Sequence, residues 1–353
     1  LMRRGIISED EALELLDKSS PMTEEGAAES KEKFKYTDKD GFVNHEVDFM
    51  DSFKGIMDQI VSKGKVVLKD ASKAIDDNID FSKGFPKVKS IVKTVEKDIE
   101  GDFDSINLAI KTGKVAVYPG ENAHVKAEYK IYGAVAPEKV DEYLAEKTQL
   151  EVVDGVLEIT ASDSLRIALN LELYLPEKTY ETFDFKFVHG DIKVEKVAAA
   201  KVKIDQVNGD VELSETLNKE VDVTLKNGEI KVLDGSTDVL KLNSANGNIR
   251  VTSAFEDGNV NLVNGNILLT QTQDKARKLI VKNVNGDVKL SVPEYLGLVG
   301  HVRTVFGGYK TRLNLDNPFE ASRNGAAVVR TGAETLTFEL ETKSGTIWLK
   351  DAD

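Results

Sequence analysis

The residues that could carry out acid–base, nucleophilic or metal chemistry are scattered singly along this sequence. The four histidines, none of which belongs to a paired metal-binding spacing such as HExxH, are His45, His124, His189 and His301. The sequence has no GxSxG nucleophile turn, no GxxxxGK(S/T) phosphate-binding loop and no GxGxxG segment that opens a helix. We therefore expect no catalytic residue, no metal site and no cofactor, and each histidine is interpreted as a surface or turn residue.

One set of polar residues recurs at regular spacing, each directly after a glycine. The set is Asp191, Asp210, Glu229, Asn248, Asn266 and Asp287. Such a ladder could bind calcium or a cationic ligand, but calcium-binding β-rolls use a nine-residue glycine-rich repeat, so we interpret the ladder as a solvated turn edge. Carbohydrate-cleaving β-helices need clustered Asp, Arg or Lys on one outer face. Because no such cluster is evident, we do not expect an enzyme.

The composition limits the partners that the chain can have. Among 353 residues, 61 are Asp or Glu and 47 are Lys or Arg, which gives a formal net charge of −14. A nucleic-acid partner is not expected, because phosphate binding requires a basic face. The absence of cysteine excludes disulfides and cysteine metal sites. No run of residues approaches the roughly 18 apolar residues of a membrane-spanning helix, and no signal-peptide core is visible.

An internal repeat dominates the second half of the sequence. A glycine returns at Gly190, Gly209, Gly228, Gly247, Gly265 and Gly286, in steps of 19, 19, 19, 18 and 21 residues. The residues five positions before these glycines are all apolar: Phe185, Ile204, Val223, Leu242, Val260 and Val281. Those two positions after are apolar as well: Ile192, Val211, Ile230, Ile249, Ile267 and Val288. Further apolar columns at two-residue spacing predict strands that bury one face. The same template fits Gly113, Gly155 and Gly345, whereas the unit around Gly307 is left open.

Two architectures satisfy this repeat. The residue before the glycine is His189 in the first unit and Asn in the others, and Asn-Gly accepts the positive φ of a sharp turn between two strands. If each unit is one coil, equivalent residues stack in ladders about 4.8 Å apart. We therefore predict a mainly β chain, namely a single-chain β-solenoid of about 19 residues per coil, preceded by an N-terminal α-helical region. An antiparallel β-meander of Asn-Gly hairpins is the alternative.

Changes in pattern define the organisation of the chain. Residues 1–18 predict a helical hairpin with a capping box, and residues 19–45 predict an acidic linker. Residues 46–100 are predicted to form amphipathic helices, the last of them a short helix-like stretch from Val88 to Ile99. Residues 103–353 are assigned to the solenoid, with residues 121–180 capping one end and residues 336–353 closing the other.

The first of the predicted amphipathic helices carries a stripe that could contact a membrane or a partner. Phe49, Met50, Phe53, Met57 and Ile60 recur at helical spacing on one face. Phenylalanine and methionine beside a lysine-bearing segment suit a lipid surface or an amphipathic peptide. Packing against the neighbouring domain is the simpler interpretation.

Three features together resemble the toastrack proteins of Gram-positive bacteria, also described as adhesin-like β-strand-repeat proteins. They are the GIISEDEALELLD segment at residues 5–17, the FSKGFPKVKS bridge at residues 81–90 and the repeated VNGD-type units. The arrangement is most similar to family members of the envelope-stress network that responds to membrane-active antibiotics. The resemblance implies a β-solenoid recognition domain without catalytic activity and assigns no functional residue.

The resemblance and the charge together suggest a function. We expect a non-enzymatic sensor or regulator of cell-envelope stress, which binds cationic or membrane-active antimicrobial peptides or an envelope-stress membrane protein, with peripheral membrane contact. An acidic surface raises the local concentration of cationic peptides, and this effect weakens as salt rises. The expected location is the cell surface or the periphery of the membrane, with the cytoplasm as the alternative. The alternative function is a structural β-solenoid scaffold or adhesin that self-assembles end to end.

Overall fold

The computed structural model describes residues 90–133, 135–161, 166–316, 319–322 and 325–352, and regular structure in these ranges is almost entirely β. One helix, α1 (Val140–Lys147), follows a 3-10 turn (Pro137–Lys139). The first ten strands are β1 (Ser90–Asp98), β2 (Ser105–Pro119), β3 (His124–Tyr132), β4 (Thr148–Val153), β5 (Val156–Ala161), β6 (Ile167–Leu175), β7 (Thr179–Glu195), β8 (Ala198–Asn208), β9 (Val211–Ser214) and β10 (Leu217–Asn227). The next ten are β11 (Ile230–Asn246), β12 (Ile249–Asn264), β13 (Ile267–Gln271), β14 (Lys278–Asn285), β15 (Val288–Val292), β16 (Gly297–Phe306), β17 (Tyr309–Arg312), β18 (Ala326–Arg330), β19 (Thr335–Ser344) and β20 (Ile347–Asp351). No helix within these ranges is long and apolar enough to cross a membrane.

Successive repeat units stack as parallel strands in register. β8 pairs with β10 and β10 with β11, so that Asn208, Asn227 and Asn246 are neighbours in one row. The strands that follow the turns stack in the same way, β9 on β11 and β11 on β12. Neighbouring units therefore run in the same direction. This confirms the predicted β-solenoid, and the alternative antiparallel β-meander is wrong.

The core is the interior that the stacked coils share. Val223, Leu242 and Val260, each five positions before a repeat glycine, have no exposed surface. Alternation along each strand sends these side chains inward and their neighbours to solvent. In β7, the ring of Phe183 is stacked on that of Phe185 and tilted against that of Tyr180, with centroids 5.6 and 5.5 Å apart. Burial stabilises each apolar side chain by about 1.5–3 kcal/mol. Because chain ordering offsets most of that gain, a coil depends on its neighbours.

The repeat glycines form a continuous column. Gly247 has a φ of +127°, and a Cβ placed on it would lie 1.8 Å from the carbonyl oxygen of Gly228 in the coil beneath. The column also contains Gly113, Gly345 and Gly307, so the unit around Gly307 is a coil of the solenoid. The column does not include Gly155. Val153 and Val156 are paired antiparallel, so Gly155 lies in a hairpin turn between β4 and β5, and the fit of the repeat template there was wrong.

At the N-terminal end of the solenoid, the order of coils in space differs from their order along the chain. β2 lies between two later coils, with β5 and β6 on one side and β7 on the other. Antiparallel strands are added to the outer edges of β5 and β6. β4 pairs with β5, β3 pairs with β6, and β1 pairs with β3. The end therefore finishes in antiparallel strands.

The C-terminal end repeats this arrangement. β19 lies between β14 and β16, and β20 lies between β15 and β17. β19 and β20 thus form an inserted coil, and the expectation that residues 336–353 close the solenoid is wrong. The outermost coil is β16 with β17, and β18 covers part of it in antiparallel orientation. Leu313, Leu315 and Phe319, in the connection to β18, also pack against the core.

Residues 90–98 form strand β1, so the predicted short helix-like stretch from Val88 to Ile99 is wrong there. Their side chains alternate between partly buried and exposed, and each residue pairs with one of β3. The β-branched residues Ile91, Val92, Thr94 and Val95 favour a strand once a partner edge is available. The remainder of the predicted helices and linker, residues 1–89, lies outside the described residues.

Candidate functional site

The predicted contact stripe of Phe49, Met50, Phe53, Met57 and Ile60 lies outside the described residues and stays a prediction. The solenoid has four candidate surfaces among the described residues. They are the turn edge, the face formed by strands before the turns, the N-terminal end and the face formed by strands after the turns.

The asparagines before the repeat glycines form a hydrogen-bonded ladder. Asn227 Nδ2 donates to Asn208 Oδ1 at 2.8 Å, Asn246 Nδ2 to Asn227 Oδ1 at 2.8 Å, and Asn264 Nδ2 to Asn246 Oδ1 at 2.9 Å. At one end, Asn208 Nδ2 lies 3.0 Å from His189 Nδ1. His189 thus occupies the position of the turn asparagines, within β7, and is exposed, in agreement with its interpretation as a surface or turn residue.

Most of the polar residues after the repeat glycines accept hydrogen bonds from backbone N–H groups in the turn of the neighbouring coil. Asp210 Oδ1 accepts from Glu229 N at 2.8 Å, and Asp287 Oδ1 accepts from Thr346 N at 2.9 Å. The hydrogen bond from Lys114 lowers the pKa of Asp191, and the two side chains are 2.8 Å apart. No group of three or more His, Asp or Glu side chains among the described residues could hold a metal ion. These contacts support the interpretation of the ladder as a turn edge.

The face formed by the strands before the turns carries charges that neutralise one another. Glu220 accepts from Lys241 Nζ at 2.7 Å and lies 3.6 Å from Lys201 Nζ on the opposite side. The hydrogen bond from Lys241 lowers the pKa of Glu220. Paired charges of this kind leave little net charge for a ligand.

Acidic residues are concentrated at the N-terminal end of the solenoid. Residues 96–158 contain 14 Asp or Glu against 7 Lys. His124 lies among these acids, with Nδ1 2.8 Å from Asp98 Oδ1 and Nε2 3.4 Å from Glu96 Oε1. The hydrogen bond to Asp98 raises the pKa of His124, and Glu96 adds to the effect. A net negative charge in this segment suits a cationic ligand.

A cationic patch surrounds the only tryptophan of the chain, on the strands that follow the turns. Trp348 of β20 lies between Lys289 of β15 and Lys310 of β17. Lys310 Nζ is 4.1 Å and Lys289 Nζ is 5.6 Å from the centroid of the indole ring, within the range of cation–π contacts. Arg312 projects from the same face of β17 as Lys310. We call these four residues the tryptophan patch.

Sequence reasoning did not find the tryptophan patch. The available signal was the column three positions after the glycines, which includes Lys231, Arg250, Lys289, Trp348 and Lys310. The apolar columns that predict the strands do not include this column. The proximity of Trp348 to Lys310 also depends on the inserted coil, which the repeat alone does not reveal.

The comparisons with known proteins agree with the architecture. Residues 103–350 match the family described as Toastrack DUF4097. The chain is 39% identical over 208 residues to the uncharacterized protein YvlB of Bacillus subtilis (strain 168). That alignment covers 58% of this chain and 57% of YvlB, so the chain spans less than two thirds of this relative's length.

Solved structures provide more distant similarities. A candidate adhesin of Bacteroides fragilis NCTC 9343 is 12% identical, with 74% of this chain and 97% of that chain covered and a TM-score of 0.39. A protein of Parabacteroides distasonis ATCC 8503, described as a candidate lipid-binding protein, is 13% identical, with 74% and 97% covered and a TM-score of 0.36.

Proposed function

We propose, starting from the fact that this chain belongs to the toastrack DUF4097 family, that it is a non-catalytic recognition module of the bacterial envelope-stress response. Its ligands in this proposal are cationic, membrane-active peptides, and its binding surface is the acidic N-terminal end of the solenoid. It acts at the cell surface or at the periphery of the membrane, where such peptides arrive, and it works together with envelope-stress membrane proteins.

The observation that carries this proposal is the uneven distribution of charge. The chain has a net charge of −14, and residues 96–158 alone account for 14 acids against 7 bases. Several of these acids lie on β1, β3 and β4, which antiparallel pairing fixes to the end of the solenoid. A fixed acidic surface attracts polycations over roughly one Debye length, about 10 Å at 0.1 M salt.

The test is a binding titration of the full chain with a fluorescently labelled, lysine-rich amphipathic peptide. We expect binding that weakens between about 0.1 M and about 1 M salt, since the Debye length falls from about 10 Å to about 3 Å over this range. The variant Glu100→Gln/Glu121→Gln neutralises two exposed acids close to the backbone pair Ile99–Ala123. It is expected to bind the peptide several-fold more weakly.

The matched control, Glu320→Gln/Glu334→Gln, removes the same charge from exposed positions near the other end. It should bind the peptide as the unmodified chain does. Binding that is insensitive to salt, or equal weakening in both variants, would contradict a site at the acidic end.

A further inference from the structure

The tryptophan patch carries positive charge that surrounding acids do not neutralise. Within the described ranges, Lys289, Lys310 and Arg312 form no ion pair. Three acids of the same coils have other contacts. Asp287 Oδ1 accepts from Thr346 N at 2.9 Å, Asp351 pairs with the buried Arg330, and Glu341 lies 3.9 Å from Arg303. The cations of the patch are therefore available to an external anion.

Apolar side chains accompany these cations. Leu268, which is 36% exposed, is the neighbour of Lys289 in the adjacent coil. Phe306, which is 69% exposed, precedes the turn that leads to Lys310. Trp348 itself is half-buried between the two lysines. The patch thus combines cations with exposed apolar surface.

The inserted coil creates this combination. Lys289 and Lys310 belong to coils that are consecutive along the chain, but the coil of β19 and β20 lies between them. Neighbouring strands are about 4.8 Å apart, so the two lysines project on either side of Trp348, about two strand spacings from each other.

The patch lies at the end of the solenoid that is close to neutral. The described residues of 278–352 contain 9 Lys or Arg against 8 Asp or Glu, whereas residues 96–158 contain 14 Asp or Glu against 7 Lys. An anionic surface would repel the acidic end and leave the unpaired cations of this end free to approach it.

We propose that the tryptophan patch docks the solenoid onto the surface of an anionic lipid bilayer. Lysine and arginine next to such a surface gain binding energy from the negative headgroups, and tryptophan favours the boundary between headgroups and acyl chains. A soluble phosphate would use the cations but would leave Leu268 and Phe306 without a partner, which is why a lipid surface fits better. The inference does not rest on peptide binding, because the two surfaces lie at opposite ends.

The experiment measures binding of the full chain to vesicles of equimolar phosphatidylglycerol and phosphatidylcholine, by flotation and by tryptophan fluorescence. Because Trp348 is the only tryptophan, its emission reports on the patch directly. We expect a blue shift and reduced acrylamide quenching on these vesicles, and neither change on pure phosphatidylcholine. Each lysine near an anionic surface contributes about fivefold to binding, so Lys289→Gln/Lys310→Gln should bind about 25-fold more weakly.

The matched control is Lys219→Gln/Lys278→Gln, which changes the net charge equally at two exposed lysines outside the patch. Retention of vesicle binding by the control, with loss in the patch variant, would support the proposal. Equal binding by both variants, or no binding to phosphatidylglycerol vesicles, would overturn it. A fluorescence shift with soluble anionic polymers but not with vesicles would also overturn it. In the patch variant, unchanged binding of the cationic peptide separates this result from the peptide-binding proposal.

Discussion

At the scale of single residues, each repeat glycine is required by the backbone stacked beneath it. Gly247→Ala would place a Cβ 1.8 Å from the Gly228 carbonyl oxygen at a φ of +127°. Strain and steric overlap together are expected to lower the free energy of unfolding by about 3 kcal/mol or more. Urea denaturation measures this loss. Gly308→Ala is the control, because nothing lies within 4 Å of its added Cβ, and it should change stability by less than about 0.5 kcal/mol.

Equal stabilities of these two glycine variants would contradict the tight stacking of the turns. The sequence was sufficient to predict this column, since glycine recurs at nearly constant spacing and asparagine precedes it. It was not sufficient to exclude Gly155, because an Asp-Gly hairpin and an Asn-Gly coil turn share the same local preference for positive φ.

The pKa values of two histidines are shifted in opposite directions. The hydrogen bond to Asp98 raises the pKa of His124 above its ordinary value of 6.5, whereas burial lowers the pKa of His301 below that value. His124 therefore contributes stability that is present below pH 6.5 and is lost as pH rises through its folded pKa. His301 contributes in the opposite sense, with stability present above pH 6.5 and lost as pH falls through its folded pKa.

An NMR titration of the imidazole protons measures both pKa values directly. Asp98→Asn should return the pKa of His124 toward 6.5 and leave that of His301 unchanged. A pKa of His124 at or below 6.5 in the unmodified chain would contradict the contact with Asp98.

At the scale of elements, one arginine ties the outermost strands of the C-terminal end together. Arg330 of β18 is 5% exposed and pairs with Asp351 of β20. Its Nε donates to Leu296 O at 2.8 Å, and a second guanidinium N–H donates to Pro293 O at 2.7 Å. Arg330→Leu removes these hydrogen bonds and the charge partner of Asp351, and it is expected to cost about 3 kcal/mol in the free energy of unfolding.

Chemical denaturation of Arg330→Leu should be compared with that of Arg277→Leu, which replaces an exposed arginine. The control is expected to stay within about 0.5 kcal/mol of the unmodified chain. A loss of similar size in both variants would show that Arg330 does not anchor the end.

The elements differ in how far the sequence determined them. The strands around the repeat glycines were predictable because their apolar columns alternate with a period of two. Strand β1 was not, because Val88 to Ile99 also suits a helix, and pairing with β3, a tertiary contact, decides between the two.

At the scale of the whole molecule, the sequence predicted parallel stacking but not the order of the coils. Inserting a coil leaves every apolar column intact, so no repeat pattern distinguishes residues 335–351 as an inner coil from the same residues as a final one. The tryptophan patch could not be predicted for this reason, since only the insertion brings Trp348 between Lys289 and Lys310.

The strands that cover the two ends of the solenoid affect whether it can self-assemble end to end. Antiparallel strands flank the outer coils at both ends, β3 and β4 at one and β18 at the other. A solenoid finished in this way presents less of the bare parallel edge that end-to-end stacking requires. We therefore expect a single species in sedimentation at all accessible concentrations, and filaments in electron microscopy would instead favour the scaffold function.

Engineered disulfides test the inserted coil most directly, because the chain contains no cysteine of its own. Lys278, Val299 and Thr337 are exposed residues eight positions before the glycines of three coils, and Thr337 pairs with both of the others. Strand neighbours lie within the Cα separation of about 4.4–6.8 Å that a disulfide spans. We predict that Val299→Cys/Thr337→Cys forms a disulfide on mild oxidation and that Lys278→Cys/Val299→Cys does not. A disulfide in the second pair and none in the first would show that the coils stack in chain order, which would contradict both the inserted coil and the tryptophan patch built on it.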